Sequence, residues 1–244
     1  MAILGVDIGG SGIKGAPVDL AAGDFAQERC RVETPQPADV DRVVKAVVEV
    51  VSTFNRPERV GITFPGVVVN GTILTAANMD PSWLDTPAAT LFQRELGCPV
   101  TVLNDADAAG VAEMTYGVGK GRSGTTVMLT FGTGIGSAVF LDGRLLPNTE
   151  FGHLELHGKD AELRASDRAR TEEDLTWHHW AKRVDDYLAH LELLMRPDLF
   201  VVGGGVSKKA EHFLPLLTVK TPVVPAMLLN NAGIIGAALA ATAA

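Results

Sequence analysis

Two segments of the chain combine glycines, hydroxyls and charge in a spacing suited to holding phosphate. Asp7-Ile8-Gly9-Gly10-Ser11-Gly12-Ile13-Lys14 and Thr130-Phe131-Gly132-Thr133-Gly134-Ile135-Gly136-Ser137 each extend a short apolar run and lead into another. A glycine turn between antiparallel strands can direct main-chain N–H groups at an anion, and Ser11, Thr130 and Thr133 add hydroxyls. Asp7 would repel a phosphate unless a hydrated Mg2+ lies between them, and Mg2+ characteristically combines one or two protein carboxylates with phosphate oxygens. Lys14 adds a positive charge. Taken alone, Asp7 is equally well read as a surface strand end. Two such turns, one in each half of the chain, can hold one phosphate chain from both sides across a cleft, and phosphoryl transfer relies on such positioning and charge neutralisation. Gly10 to Gly15 also has the G-x-G-x-x-G spacing of a dinucleotide-binding turn. That motif requires a helix to open at its second glycine, whereas Ala16-Pro17-Val18-Asp19 follow here.

The elements that position these turns are legible in the patterning. Ala2 to Ile8 and Ile13 to Asp19 read as strands of a meander that turns again around Ala21 to Asp24. Val40, Val43, Val44, Val47, Val48 and Val51 form the stripe of an amphipathic helix capped by Asp39. Val60 to Phe64 is a strand, and Asn70-Gly71 predicts a hairpin. A helix from Pro87 to before Gly97, a strand at Val100 to Leu103 and a helix at about Ala106 to Tyr116 follow. Thr126 to Thr130 and Ser137 to Leu141 repeat the opening pattern, with a turn at Asp142-Gly143. The rest reads as a helix over Leu175 to Met195, a strand at Leu199 to Val202 ending in Gly203-Gly204-Gly205, a helix, a short strand near Val223 and a terminal helix from about Asn231. This order predicts a mixed α/β chain in two lobes, 1–105 and 106–230, with 231–244 returning to the first.

Composition narrows the function classes. The 244 residues hold 29 acids and 21 bases, a net charge of −8, with 46% hydrophobic and 20% charged residues, which describes a globular protein and excludes disordered and fibrous classes. Two cysteines, Cys30 and Cys98, are too few for a disulfide framework. With no run of about 20 apolar residues and no signal-like N-terminus, a cytoplasmic location is expected. The acidic balance argues against nucleic acid and membrane surfaces as partners.

The motifs together resemble the ROK (repressor, open reading frame, kinase) group of sugar kinases in the actin/hexokinase-like superfamily. The two glycine segments resemble its phosphate motifs. Pro65-Gly66-Val67, the Asn70-Gly71 turn and Asn78 with Trp83 are similar to its sugar-side loop, and Asn104-Asp105-Ala106-Asp107 with Glu113 to its catalytic segment. Glu150-Phe151-Gly152-His153 resembles its E-x-G-H sugar motif, and Gly203-Gly204-Gly205-Val206-Ser207 its late glycine motif. The correspondence runs in order along nearly the whole chain. Within the family the likeness is to actinobacterial kinases that use inorganic polyphosphate on glucose, notably over Leu103 to Phe140, Leu146 to Arg170 and Leu199 to Lys209. Many members bind zinc through a cysteine cluster after the E-x-G-H histidine. This chain has no cysteine after Cys98, so no zinc site is expected, and Glu155 or backbone is the expected support of His153.

The resemblance implies a two-lobed fold of the actin/hexokinase (ribonuclease H-like) type with an interlobe cleft. The implied reaction transfers a terminal phosphate to the 6-hydroxyl of glucose, with Asp105 as the base. Its place at a helix start, where the macrodipole favours a carboxylate, suits that role; a cap is the alternative, which Asp107 would fill equally well. Asn104, Asp105, Glu150, His153, Glu162, Gly66 and Asn78 are the implied sugar site. Taken alone, His153 reads as a structural histidine and Glu162 as a solvated helix residue. Asp7, Gly9, Gly10, Ser11, Gly12, Lys14, Thr130, Gly132, Thr133 and Gly134 are the phosphate site, with Asp7 holding Mg2+ through water. Gly203, Gly204, Gly205, Lys120 and Arg122 are candidates for a nucleotide or phosphate chain. Arg164, Arg168, Arg170, Lys182-Arg183 and Lys208-Lys209 are further basic candidates, each equally readable as solvated surface charge. The expected donor is polyphosphate, with ATP, alone or in addition, and mannose as an acceptor as alternatives. The expected state is a homodimer. A non-catalytic sugar-binding module is the different-class alternative. The family's repressors carry a winged helix-turn-helix ahead of the kinase-like part, which disfavours that class here.

Overall fold

The computed structural model describes residues 3–76 and 79–242. The chain divides into two compact units, residues 1–112 with 231–244, and residues 113–230. The division lies seven residues beyond the expected 105/106 boundary. The first turns of the helix that starts at Asp105 are lined with buried alanines, Ala106, Ala108, Ala109 and Ala112, which tie them to the first unit.

In the first unit, β1 (Ile3–Ile8) pairs antiparallel with β2 (Ile13–Asp19), which also pairs with β3 (Asp24–Phe25) and β4 (Cys30–Val32). On its other side β1 is parallel to β5 (Arg59–Phe64), and β5 is parallel to β8 (Val100–Asn104). α1 (Val40–Ser52) has the expected Asp39 cap, whose carboxylate accepts from the N–H of Arg42. It packs its valine stripe on the sheet. β6 (Val68–Val69) and β7 (Thr72–Ile73) form the hairpin, with both Asn70 and Gly71 at positive φ as a two-residue turn requires. α2 (Ala88–Leu96) starts one residue after Pro87, which flanks the helix instead of opening it, and ends at Gly97 in the left-handed conformation. α3 (Asp105–Tyr116) leaves β8 without a connecting loop.

The second unit repeats this arrangement. β9 (Thr125–Phe131) is antiparallel to β10 (Ile135–Leu141) and parallel to β14 (Leu199–Gly204); β11 (Arg144–Leu146) and β15 (Val223–Pro225) extend the sheet at its two edges. A small hairpin of β12 (Glu155–Leu156) and β13 (Lys159–Asp160) leads into α4 (Glu162–Ala165) and α5 (Asp167–Glu172). α6 (Trp177–Met195) covers the sheet, with Trp180 edge-on to Phe131 and Phe213. The helix expected after Gly205 is instead a 3-10 segment, Gly205–His212, interrupted at Lys209. Ser207 Oγ donates to the Gly204 carbonyl, three residues back, at 2.7 Å, within this i-to-i+3 geometry.

α7 (Ala232–Ala240) belongs to the first unit and lies directly on its sheet. Side chains alternate across a strand, so the β1 face bearing Gly5 is opposite the one bearing Val6 and Gly15, where Val50 of α1 packs. A Cβ on Gly5 would run into the Ile234 carbonyl, one on Gly61 into that of Ala237, and one on Gly236 into that of Ala108 of α3. The absent side chains thus set the distance between helix and sheet. Since backbone cannot yield as a side chain can, Gly61→Ala is expected to cost about 1–3 kcal/mol through overpacking, read as a lower urea midpoint at unchanged m-value.

Candidate active site

In the first unit the expected residues gather at the carboxyl ends of the parallel strands, the edge at which α/β sheets present ligands. Asp7, Thr63 and Leu103 stand in register, and Asn104 follows Leu103 at the end of β8. Thr63 Oγ1 donates to Asp7 Oδ1 at 2.8 Å and accepts from the Ile8 N–H at 3.3 Å. Lys14 Nζ lies 3.8 Å from Asp7 Oδ2, and a Cβ on Gly233, in the first turn of α7, would stand 3.2 Å from Asp7 Oδ1. Asp7 is therefore oriented by Thr63 and Lys14, with little room for a side chain on Gly233 beside it. The turn itself closes through the Gly9 N–H donating to the Gly12 carbonyl at 3.1 Å. Thr34 Oγ1 donates to the Gly9 carbonyl. Among the described residues no acceptor meets the N–H groups of Gly10 and Ser11, both exposed, and successive main-chain N–H groups in a turn are suited to an anion. β2 follows this turn directly, as the antiparallel reading expects and the dinucleotide reading does not.

Asn104 caps α3. Its Oδ1 accepts from the N–H groups of Ala106 at 2.8 Å and Asp107 at 3.0 Å, while its Nδ2 donates to the Gly66 carbonyl at 3.1 Å. An asparagine supplies one acceptor and one donor group; a carboxylate in its place could satisfy the helix end but not the Gly66 carbonyl. Asn104 is buried, and among the described residues its second amide hydrogen meets no acceptor. Gly66 is held by the Thr75 backbone, which a Cβ would strike. Asp105 Oδ1 accepts from the Ala106 N–H at 2.8 Å, fixing the carboxylate at the start of the helix. Asn78 lies outside the described residues. Trp83 is a core residue, fully buried between Phe64 and Phe92 with its Nε1–H on the Ala38 carbonyl.

In the second unit Gly203 pairs with Thr130 and Gly204 with Phe131, so the late glycine motif and the second glycine turn share one edge. The Gly132 N–H donates to the Gly134 carbonyl, and Arg168 is fastened to the turn by its own N–H on the Gly132 carbonyl, both at 3.0 Å. Glu162 is not a solvated helix residue. Its Oε2 accepts from the Ile135 N–H at 3.1 Å and fills the space that a side chain on Gly134 would take. The Glu150–His153 segment is stitched to β10 by Ser137, whose Oγ accepts from the Phe151 N–H at 3.0 Å and donates to the Thr149 carbonyl at 2.6 Å. Tyr187 of α6, its phenol pushed well up in pKa by burial, donates to the Phe151 carbonyl.

The partner of His153 is Asp160, not Glu155. His153 Nδ1 lies 2.9 Å from Asp160 Oδ2, and Nε2 lies 3.9 Å from Glu150 Oε2. Glu155 is the cross-strand neighbour of Asp160. The hairpin that presents Asp160 turns at His157 and Gly158, both at positive φ, and His157 Nε2 meets Asp186 Oδ2 of α6 at 2.6 Å. The hydrogen bond to Asp160 holds His153 above the usual histidine range, against partial burial and with help from Glu162 and Glu150. Burial pushes Glu150 above the usual carboxylate range, opposed by His153 and reinforced by Glu162.

Most of the remaining basic candidates are exposed or already used. Lys120, Arg122, Lys182, Lys208 and Lys209 are exposed; Arg170 pairs with Asp167 and covers the Trp177 ring at 4.3 Å, and Arg183 pairs with Glu173. Arg31, which sequence reasoning missed, donates from Nη2 to the Ser11 carbonyl at 3.0 Å.

The His153–Asp160 pair has a measurable signature. Because the imidazolium is the favoured form, its contribution to stability is complete below the ordinary histidine pKa and is lost as pH rises through the raised value. Asp160→Asn should return the NMR titration midpoint of the His153 ring toward about 6.5; an unchanged midpoint would show that Asp160 does not control it.

A model of the ROK family matches residues 3–169. The polyphosphate glucokinase of Mycobacterium tuberculosis (strain CDC 1551 / Oshkosh) is 53% identical over 240 residues, spanning 98% of this chain and 91% of the relative. Among solved structures, the inorganic polyphosphate/ATP-glucomannokinase from Arthrobacter sp. strain KM matches with a TM-score of 0.96 and 48% identity, over 99% of this chain and 98% of that one. The ROK family glucokinase from Streptomyces griseus, in complex with glucose and AMPPNP, matches with a TM-score of 0.86 and 26% identity over the full length of both chains. With both glycine turns, the capped aspartate and the E-x-G-H segment folded as described, the chain belongs to the ROK family and has the actin/hexokinase-like fold of its sugar kinases.

Proposed function

We propose that this chain is a polyphosphate glucokinase, which transfers the terminal phosphate of inorganic polyphosphate to the 6-hydroxyl of glucose. The observation that carries the reading is 53% identity, sustained over 98% of the chain, to a relative named for that activity. In the reaction, Asp105 accepts the proton of the 6-hydroxyl as the new O–P bond forms. The bridging bond to the penultimate phosphate breaks, giving glucose 6-phosphate and a chain one phosphate shorter. Asn104 holds the base at the helix start and offers its free amide hydrogen to the sugar, while Glu150, His153 and Glu162 read hydroxyls. A site built for hydroxyls leaves its own polar groups unpaired when the wrong epimer binds.

The N–H groups of both glycine turns and the hydroxyls of Ser11, Thr130 and Thr133 hold the phosphates. Asp7 fits Mg2+ bound through water, because it is a single, partly exposed carboxylate beside the first turn, already oriented by Thr63. When bound, Mg2+ neutralises phosphate charge. The reading includes a homodimer and a cytoplasmic location, the latter supported by two free thiols, Cys30 and Cys98. ATP as a second donor and mannose as a second acceptor are favoured by the 0.96 TM-score to the Arthrobacter glucomannokinase.

Asp105→Ala is expected to lower kcat by about 10²–10⁴-fold while glucose affinity, measured by calorimetry, stays within a few-fold. Near-normal turnover would remove Asp105 from the mechanism. Steady-state rates of the parent enzyme with each donor test the rest, and phosphorylation supported by ATP alone would refute polyphosphate as donor.

A further inference from the structure

Three charged residues form one row across the first sheet. Asp7 of β1 pairs with Lys14 of β2, and Lys14 pairs with Arg31 of β4. Directly paired residues share a face of the sheet. Lys14 is matched by Asp7, its Nζ 3.8 Å from the carboxylate. Among the described residues, no carboxylate stands within ion-pair distance of Arg31, which is exposed. Like charges facing each other across an antiparallel pair are destabilising, so the row carries an excess positive charge that an anion would relieve.

The guanidinium is also held in place. Nη2 donates to the Ser11 carbonyl at 3.0 Å, and the group lies flat against Gly12, where a Cβ would stand 2.7 Å from Nε and 2.9 Å from Nη2. Gly12 does not have a positive φ. Its lack of a side chain is needed for the arginine, not for the backbone conformation. A guanidinium has five N–H donors in a fixed fork, and among the described residues the one to Ser11 is the one engaged. The group thus lies at the glycine turn whose Gly10 and Ser11 N–H groups meet no acceptor among the described residues.

We propose that Arg31 binds the phosphoryl donor, its guanidinium contacting the phosphate chain seated on the first glycine turn. The assignment rests on the phosphate-binding reading of that turn given under the proposed function. It adds a residue 20 positions downstream of Ser11 that no motif contains.

The test measures binding of inorganic tripolyphosphate with Mg2+ to the parent, Arg31→Gln and Arg31→Lys proteins by calorimetry, alongside steady-state kinetics with polyphosphate. Arg31→Gln should weaken tripolyphosphate about tenfold, as expected for loss of one charge-assisted contact. It should also raise the KM for polyphosphate similarly and flatten its salt dependence, with the KM for glucose and the Tm unchanged. Arg31→Lys should recover part of the affinity. Gly12→Ala should weaken binding in the parent but add little in Arg31→Gln, because it acts by displacing the guanidinium. Tripolyphosphate affinity within twofold of the parent in Arg31→Gln would overturn the proposal, as would losses matched by equal changes in glucose KM and Tm, which would mark Arg31 as a loop brace. A parent protein that binds tripolyphosphate but transfers no phosphate to glucose would refute the proposed activity and leave the binding comparison to judge Arg31.

Discussion

In each unit one strand is paired antiparallel on one side and parallel on the other, and the rest of the structure follows from that. β1 and β9 both have this double role. The antiparallel partner must return at once, which forces a tight turn at the strand's carboxyl end. The parallel partner must run the same way, so its own carboxyl end reaches the same edge. A glycine turn, a second glycine motif or a helix start, and the polar residues at strand ends therefore collect along one line. No residue has to be held there against its local preference. Asp105 shows this economy, since the strand that delivers it, the cap that fixes it and the helix it begins are consecutive in the chain.

What was legible in the sequence was what is local. Glycine turns flanked by alternating apolar residues, the Asn70-Gly71 hairpin, the Asp39 cap and the Gly97 stop each depend on a few neighbouring residues, and each stands where the pattern put it. Sequence reasoning fell short where the physics acts across register. Asp160 reaches His153 only because a two-residue turn folds β13 back onto β12, and Arg31 reaches Ser11 only because β4 adds to the free edge of β2. The part Asn104 plays at the start of α3 was not legible for another reason. Asp105 and Asp107 have good capping chemistry, but only an amide serves the helix end and the Gly66 carbonyl together. Past Gly205 a helix was expected, yet the segment folds as a 3-10 run broken at Lys209, with Ser207 bonded back to Gly204.

A net charge of −8 gives a poor first impression of what this surface can hold. Charge summed over the chain governs distant attraction, which salt screens within about 8–10 Å. At contact the sign is local. The Asp7, Lys14, Arg31 row is positive within an acidic protein, and Arg168 is tied by its backbone to the second turn. The acids near the sugar motif act differently. Glu150, Glu162 and Asp160 surround one histidine and favour its charged form, so the segment holds both donors and acceptors.

The second unit is one continuous stretch of chain, whereas the first is interrupted and takes back residues 231–244. Gly5 and Gly61 present bare backbone on the face that α7 covers at close range. During synthesis, the strands that carry Asp7 and the first glycine turn emerge early but keep an uncovered face until α7 has been made. The second unit can complete its core from contiguous residues in the meantime. The order of translation is thus the reverse of the order of completion, and the unit that begins the chain is the last to close.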